Sequence, residues 1–279
     1  MDYRAGSPDS HVPARRRQSY RDFEPVALAL LASTLLYVVL FWRLGQPTFW
    51  DPDEAHYAQT TREMIASGDW LAPQYNGQPF FDKPILFHQL QGIAMLLVGQ
   101  NELGARMVSA LSALALIGVT AWFAAALTRK IEVGIVAGLL LASSAGVFAL
   151  ARYAILDSVF TLFTFGGAAL LTVAALRGPR WLQWPGYLGI ALGVLTKGPV
   201  ALVLCGLTLF IAIALDADAR RRLLGLRWVS GLMLIVAVSS PWFVYMYLRF
   251  GRAFVQGYLL DENIRLFAGR RFGNQPGVW

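Results

Sequence analysis

Long runs without charge dominate this chain, and their lengths define what it can fold into. Val26 to Phe41 and Val229 to Met246 contain no Asp, Glu, Lys or Arg. A helix crossing a hydrocarbon core of ~30 Å needs about 20 apolar residues. Stretches near that size lie at 25–42, 105–127, 133–151, 158–176, 199–215 and 228–248, with a shorter one at 181–196. The run Ile85 to Val98 is about 21 Å long as a helix, and His88, Gln89 and Gln91 interrupt it. That pattern predicts a helix lying along the membrane interface rather than across it.

Composition agrees with this pattern. The 279 residues are 56% hydrophobic and only 15% charged, too apolar for an ordinary soluble domain. The fold class expected is an all-α integral membrane bundle of about seven spans, with an outer amphipathic-helix loop between the first and second. Charge then sets the direction of the chain. The N-terminal arginines, Arg129 with Lys130, Arg177 with Arg180, and Arg220 to Arg222 with Arg227 fall on one side of these spans, which the positive-inside rule places in the cytoplasm. Asp51, Asp53, Glu54, Asp69, Asp82, Asp157, Asp261 and Glu262 fall on the other. The net charge of +7 therefore points to anionic membrane lipids as partners, not to nucleic acid. Residues 1–24, rich in Pro, Ser and Arg, read as a disordered cytoplasmic tail, and 25–279 as the membrane domain. Cys205, the single cysteine, excludes an intrachain disulfide.

The outer side carries the candidate chemistry. Asp51-Pro52-Asp53-Glu54 begins a helix that should stop at Gly68, with Asp51 as N-cap, Pro52 at the first position and Glu54 placed for a capping box. Capping explains Asp51 and Glu54 but leaves Asp53 for chemistry. Asp82-Lys83-Pro84 closes an aromatic loop at head-group depth, and Arg152 and Asp157 lie in a short connection between spans. Arg152 reads either as an interfacial anchor or as a cation for a phosphate. The Lys197-Gly198-Pro199 break falls between two crossings that together have only 35 residues, 181–215. Lys197 is there either a snorkelling side chain or a recessed cation awaiting an anionic head group.

Taken in order, Asp53-Glu54-Ala55-His56-Tyr57-Ala58, Ser67-Gly68-Asp69-Trp70, Phe80-Phe81-Asp82-Lys83-Pro84, Leu156-Asp157, Thr196-Lys197-Gly198 and Glu262-Asn263-Ile264 resemble the bacterial GT-C glycosyltransferases related to aminoarabinose lipid A transferase and protein O-mannosyltransferases. The resemblance covers about 45–279. It implies a GT-C-like bundle, and an inverting transfer of a sugar from a polyprenyl-phosphate donor to a lipid, glycan or protein acceptor at the periplasmic face of the inner membrane. By that resemblance Asp53 is the essential carboxylate, Asp82 and Lys83 form the lipid-phosphate site, and Asp157 and Lys197 match the second-loop aspartate and the Thr-Lys-Gly lysine. Arg152 joins the lysines on the phosphate, while Glu54, His56, Tyr57, Glu262 and Asn263 take acceptor or supporting positions.

Departures from the family pattern are specific. Asp82 stands where aminoarabinose transferases tend to have Glu, Asn263 where they have His, and His56 where they have a more basic residue. Zinc is therefore not carried over, and His11, His56 and His88 lack ligand spacing of their own. No cofactor is required, because the donor's sugar-phosphate bond holds the energy. Family members continue beyond the point where this chain ends, which makes it read as C-terminally incomplete. The rival readings are a transporter or flippase of the lipid-linked sugar and a truncated, non-catalytic membrane protein.

Overall fold

The computed structural model describes residues 31–265, with side chains up to Asp261. The expected tail at 1–24 and the first residues of the 25–42 span lie outside the described residues, as do the side chains of Glu262 and Asn263. Apart from one two-residue strand pair, the regular structure is helical.

The first described helix, α1, runs Leu31–Leu40, and α2 runs Pro52–Ser67 between the N-cap Asp51 and a left-handed Gly68, as the capping residues predict. Strands β1 (Gln74–Tyr75) and β2 (Gln78–Pro79) follow. Asn76 and Gly77 both take positive φ, 52° and 72°, the conformation of a two-residue hairpin turn. Glu63 on α2 accepts from both of their amides, which pins the hairpin to that helix. Then come α3 (Leu86–Val98), α4 (Glu102–Thr128), α5 (Ile131–Ala142), α6 (Ala145–Ala151) and α7 (Asp157–Arg177). The chain continues through α8 (Gln183–Lys197), α9 (Val200–Leu215), α10 (Ala217–Leu224) and α11 (Trp228–Phe250) to a π-helical segment at Val255–Arg265.

Among the described residues three helices, α4, α7 and α11, are long and apolar enough to cross a membrane, and α5 with α6 makes a fourth if the bent pair is one span. The protein is an integral membrane protein. The uninterrupted span expected at 133–151 is corrected: α5 and α6 are bent by 66° at a break between them. The Ser143 hydroxyl bonds to Leu140 O, and Ser144 is extended at the start of α6. Serine side chains compete with the helical ladder in this way. The break expected at Lys197-Gly198-Pro199 is present, with Gly198 at φ 82° between α8 and α9.

Small residues bring α7 and α8 together. A Cβ on Gly167 would meet Gly186 O at 2.8 Å, and one on Gly189 would meet Phe163 O at 3.1 Å. Glycine at such contacts lets backbones approach where apolar attraction between helices is weak. The result is a shared end at which Asp157 and Lys197 meet.

Helix α3 packs one face against α2 and α4 through a buried polar chain. Gln91 Nε2 donates to Ala105 O (3.0 Å), Thr61 Oγ1 donates to Gln91 Oε1 (2.5 Å), and His88 Nδ1 lies 2.9 Å from Thr61 Oγ1. Because the threonine proton is committed to Gln91, His88 must donate from Nδ1. Its Nε2 is buried without a partner among the described residues, inside a cage of Tyr57, Phe80 and Phe87. Burial first, and the charge of nearby His56 second, push the His88 pKa down from 6.5 to about 3. The folded state thus binds the proton less readily than the unfolded one. The stabilisation is complete above pH 6.5 and declines as pH falls from there towards about 3. Thermal unfolding in detergent should lose midpoint between pH 6.5 and 4.5, before Glu54, whose carboxyl lies below 4.5, begins to titrate. His88→Gln should flatten that part of the profile; an unchanged slope would rule the assignment out.

Candidate functional site

Three segments converge at the start of α2. Asp51 Oδ1 accepts from Asp53 N at 2.8 Å, so Asp51 caps its own helix. The Asp53 carboxylate is exposed and has no hydrogen bond or ion pair among the described residues. It sits in the first turn of α2.

Its neighbour Glu54 does something different from the expected capping box. It is fully buried and reaches past the N-cap to Trp50 N, 3.1 Å from Oε2. Its Oε1 accepts from Arg106 Nε and from Ala154 N, both at 2.8 Å, and Oε2 also accepts from Arg106 Nη2 at 3.1 Å. The remaining donors of Arg106 go to Leu44 O, Pro47 O and Thr48 O. One buried ion pair therefore joins the segment after α1, the start of α2, α4 and the α6–α7 connection. Burial works against the Glu54 charge, but Arg106 and the amides of Ala154 and Trp50 outweigh it and hold the carboxyl below its ordinary range. Glu54 ties these segments together, in keeping with the supporting half of its expected role.

The loop carrying Asp82 and Lys83 is pinned by the aromatics before it. Phe80 is buried against His56, Tyr57 and His88, and Phe81 packs on Phe250 at the end of α11 and Phe254 just after it. His56 has its ring 3.8 Å from that of Tyr75. That ring contact holds the hairpin against α2.

The third segment carries Arg152, Asp157 and Lys197. Arg152 donates to Val39 O (3.3 Å) and Trp42 O (2.9 Å). The guanidinium closes the end of α1, the contact expected of its anchor reading. Lys197 Nζ lies 2.7 Å from Asp157 Oδ1 and over the Phe160 ring. Neither of the two readings of Lys197 anticipated a partner within the protein: its charge is matched by Asp157, with both side chains about one-third exposed. Behind it, Gly198 is irreplaceable in this arrangement, because a Cβ there would fall 2.0 Å from the Tyr258 hydroxyl oxygen.

Tyr57 shows how close these segments come. It lies in the field of Asp53, Asp157, Asp82 and Asp51, and burial first, then those carboxylates in that order, raise the phenol's pKa. The site is thus a neutral hydroxyl among carboxylates from three separate segments, with Lys197 held by one of them. Among the described residues no three His, Cys, Asp or Glu side chains form a metal-ligand group.

With this geometry in place, comparison with known proteins is informative. The profile of the dolichyl-phosphate-mannose-protein mannosyltransferase family matches residues 29–252. The chain belongs to this family. Within it, the chain is similar to an uncharacterised protein of Aquifex aeolicus, 30% identical over 244 residues, 88% of this chain and 48% of that one. It is also similar to the undecaprenyl phosphate-alpha-4-amino-4-deoxy-L-arabinose arabinosyl transferase of Aeromonas salmonicida, 32% identical over 88% of this chain and 45% of the relative. Among solved structures it resembles ArnT from Cupriavidus metallidurans bound to undecaprenyl phosphate, with a TM-score of 0.78 at 26% identity, covering 86% of this chain and 44% of that one. The fold is therefore that of the GT-C bundle, and the chain spans about half the length of the relatives it matches.

Arg106 is the residue that sequence reasoning missed. The signal was present, since a lone arginine just inside the apolar stretch 105–127 needs a partner.

Proposed function

We propose that this chain belongs to a glycosyltransferase. It moves a sugar from a polyprenyl-phosphate donor, of the undecaprenyl type named for its relatives, to a lipid, glycan or protein hydroxyl, with inversion. The N-terminus is cytoplasmic and the site faces the periplasm, as the distribution of arginines and carboxylates supports. The observation that carries this reading is the exposed Asp53 carboxylate at the start of α2, bonded to nothing among the described residues, in a chain whose family match spans residues 29–252. A free carboxylate at a helix start is thereby set apart from a cation-bearing loop.

In the reaction, Asp53 takes the proton of the acceptor hydroxyl as its oxygen attacks the anomeric carbon. The bond from that carbon to the phosphate oxygen breaks, and its electron pair leaves on the lipid phosphate. Lys83 meets the second negative charge that develops there, and Lys197 orients Asp157 beside it. Tyr57, held protonated, remains a hydrogen-bond donor across the working pH range. Glu262 and Asn263 complete the acceptor side.

Undecaprenyl phosphate titrated into the purified protein tests the donor assignment. Losing one charge-assisted contact in Lys83→Ala should weaken binding roughly tenfold to a hundredfold. Unchanged affinity would remove Lys83 from the phosphate site.

A further inference from the structure

The other end of the same helices carries a second constellation. Helix α7 starts at Asp157 and α8 ends at Lys197, so the end of α7 and the start of α8 lie about 30 Å away. Two adjoining cavities open there, of about 320 and 230 Å³, sharing Arg180 and Gly225. Arg221 and Arg222 line the first, and Arg227, Trp181 and Trp184 the second.

Among the described residues none of these four arginines is within ion-pair distance of a carboxylate. Asp216, on the same short helix as Arg221 and Arg222, instead accepts from the amides of Asp218 and Ala219. Arg222 makes one long bond, 3.5 Å, to Leu176 O. Among the described residues this positive charge has no ion-pair partner. Trp181 and Trp184 are exposed beside it, as indoles are at the head-group level.

An apolar groove of about 210 Å³ starts at this point. Leu223 and Trp228 form its near end, and Leu171, Ile190, Leu209 and Ile235 line its depth between α7, α8, α9 and α11. Leu223 follows Arg222 directly, and Leu171 lies one turn before Ala175 of the arginine cavity. The basic cavity and the apolar groove thus lie next to each other along α7 and α10.

We infer that this end binds one anionic glycerophospholipid of the leaflet opposite the Asp53 loop, with its phosphate on Arg180, Arg221 and Arg222 and an acyl chain in the groove. Charge complementarity selects the occupant. A zwitterionic lipid would bring its own ammonium into the arginine field, and a free phosphate would leave the apolar slot unfilled.

The test is native mass spectrometry of the protein released from nanodiscs of equal phosphatidylcholine and phosphatidylglycerol. Wild type should retain one phosphatidylglycerol. Converting the three exposed arginines to glutamine (R180Q/R221Q/R222Q) should weaken retention on the order of 100-fold, since each arginine near a lipid phosphate contributes about a factor of five. Gly206→Leu should weaken it too: Gly206 lines the groove and an added Cβ meets nothing within 4 Å, so the change fills space without a clash. Arg129→Gln/Lys130→Gln removes charge from the same end without a cavity, and should retain the lipid. Equal retention by the triple variant, equal loss in the control pair, or displacement by equimolar undecaprenyl phosphate would each overturn the proposal. None of these readouts depends on sugar transfer, so this site and the proposed activity can fail separately.

Discussion

Asp53→Asn accumulates in membranes to the wild-type level and loses sugar transfer by about 10²- to 10⁴-fold, the contribution of a general base. The separation of abundance from activity follows from the surroundings of Asp53. Its carboxylate is exposed and bonded to nothing among the described residues, and asparagine keeps its shape. An exposed substitution of this kind changes stability by ~0.5 kcal/mol or less, and the lost dipole interaction is of similar size. Quantitative immunoblotting alongside radiolabelled transfer checks both halves. A fall in abundance parallel to activity would make Asp53 a structural residue.

Arg106→Ala gives the opposite signature, a loss of fold. It leaves Glu54 charged, fully buried and without its ion-pair partner, while Leu44, Pro47 and Thr48 lose a donor. Breaking a buried pair from one side costs about 3–5 kcal/mol. The double variant with Glu54→Ala removes the stranded charge, so it should be less destabilised than the two single changes sum to. The pH dependence has a definite sign. The folded-state pKa of Glu54 lies below 4.5, so its stabilisation is present above that pH and is lost as pH falls through the folded value. Thermal unfolding of the variants in detergent measures the effect; a midpoint for Arg106→Ala within a degree of wild type would show the pair to be dispensable.

These two residues mark what sequence could and could not disclose. Asp53 was legible because helix capping is local: Asp51, Pro52 and Gly68 account for α2 without it. The Lys197-Gly198-Pro199 break was legible for the same reason, since proline and glycine act on their own backbone. The bent α5–α6 pair was hidden in an apolar run, where two serines outweighed composition. Asn76-Gly77 announced a hairpin in two residues, but the surrounding segment is too short to read as strands. The ion pair of Glu54 with Arg106, 52 positions apart, has no local period at all. Neither has Lys197 with Asp157, 40 apart. Pairing across a helical bundle depends on which faces meet, so candidate residues can be picked by type but their partners only by packing.

The central claim is that a sugar-phosphate bond is broken at Asp53. Phosphorus NMR of proteoliposomes given an undecaprenyl-phosphate-linked sugar and an acceptor tests it directly, using the longest native form of the protein. The expected result is conversion of the phosphodiester signal to that of undecaprenyl monophosphate by wild type and not by Asp53→Asn. Passage of the intact diester to the opposite leaflet without conversion, or equal conversion by the variant, would contradict it.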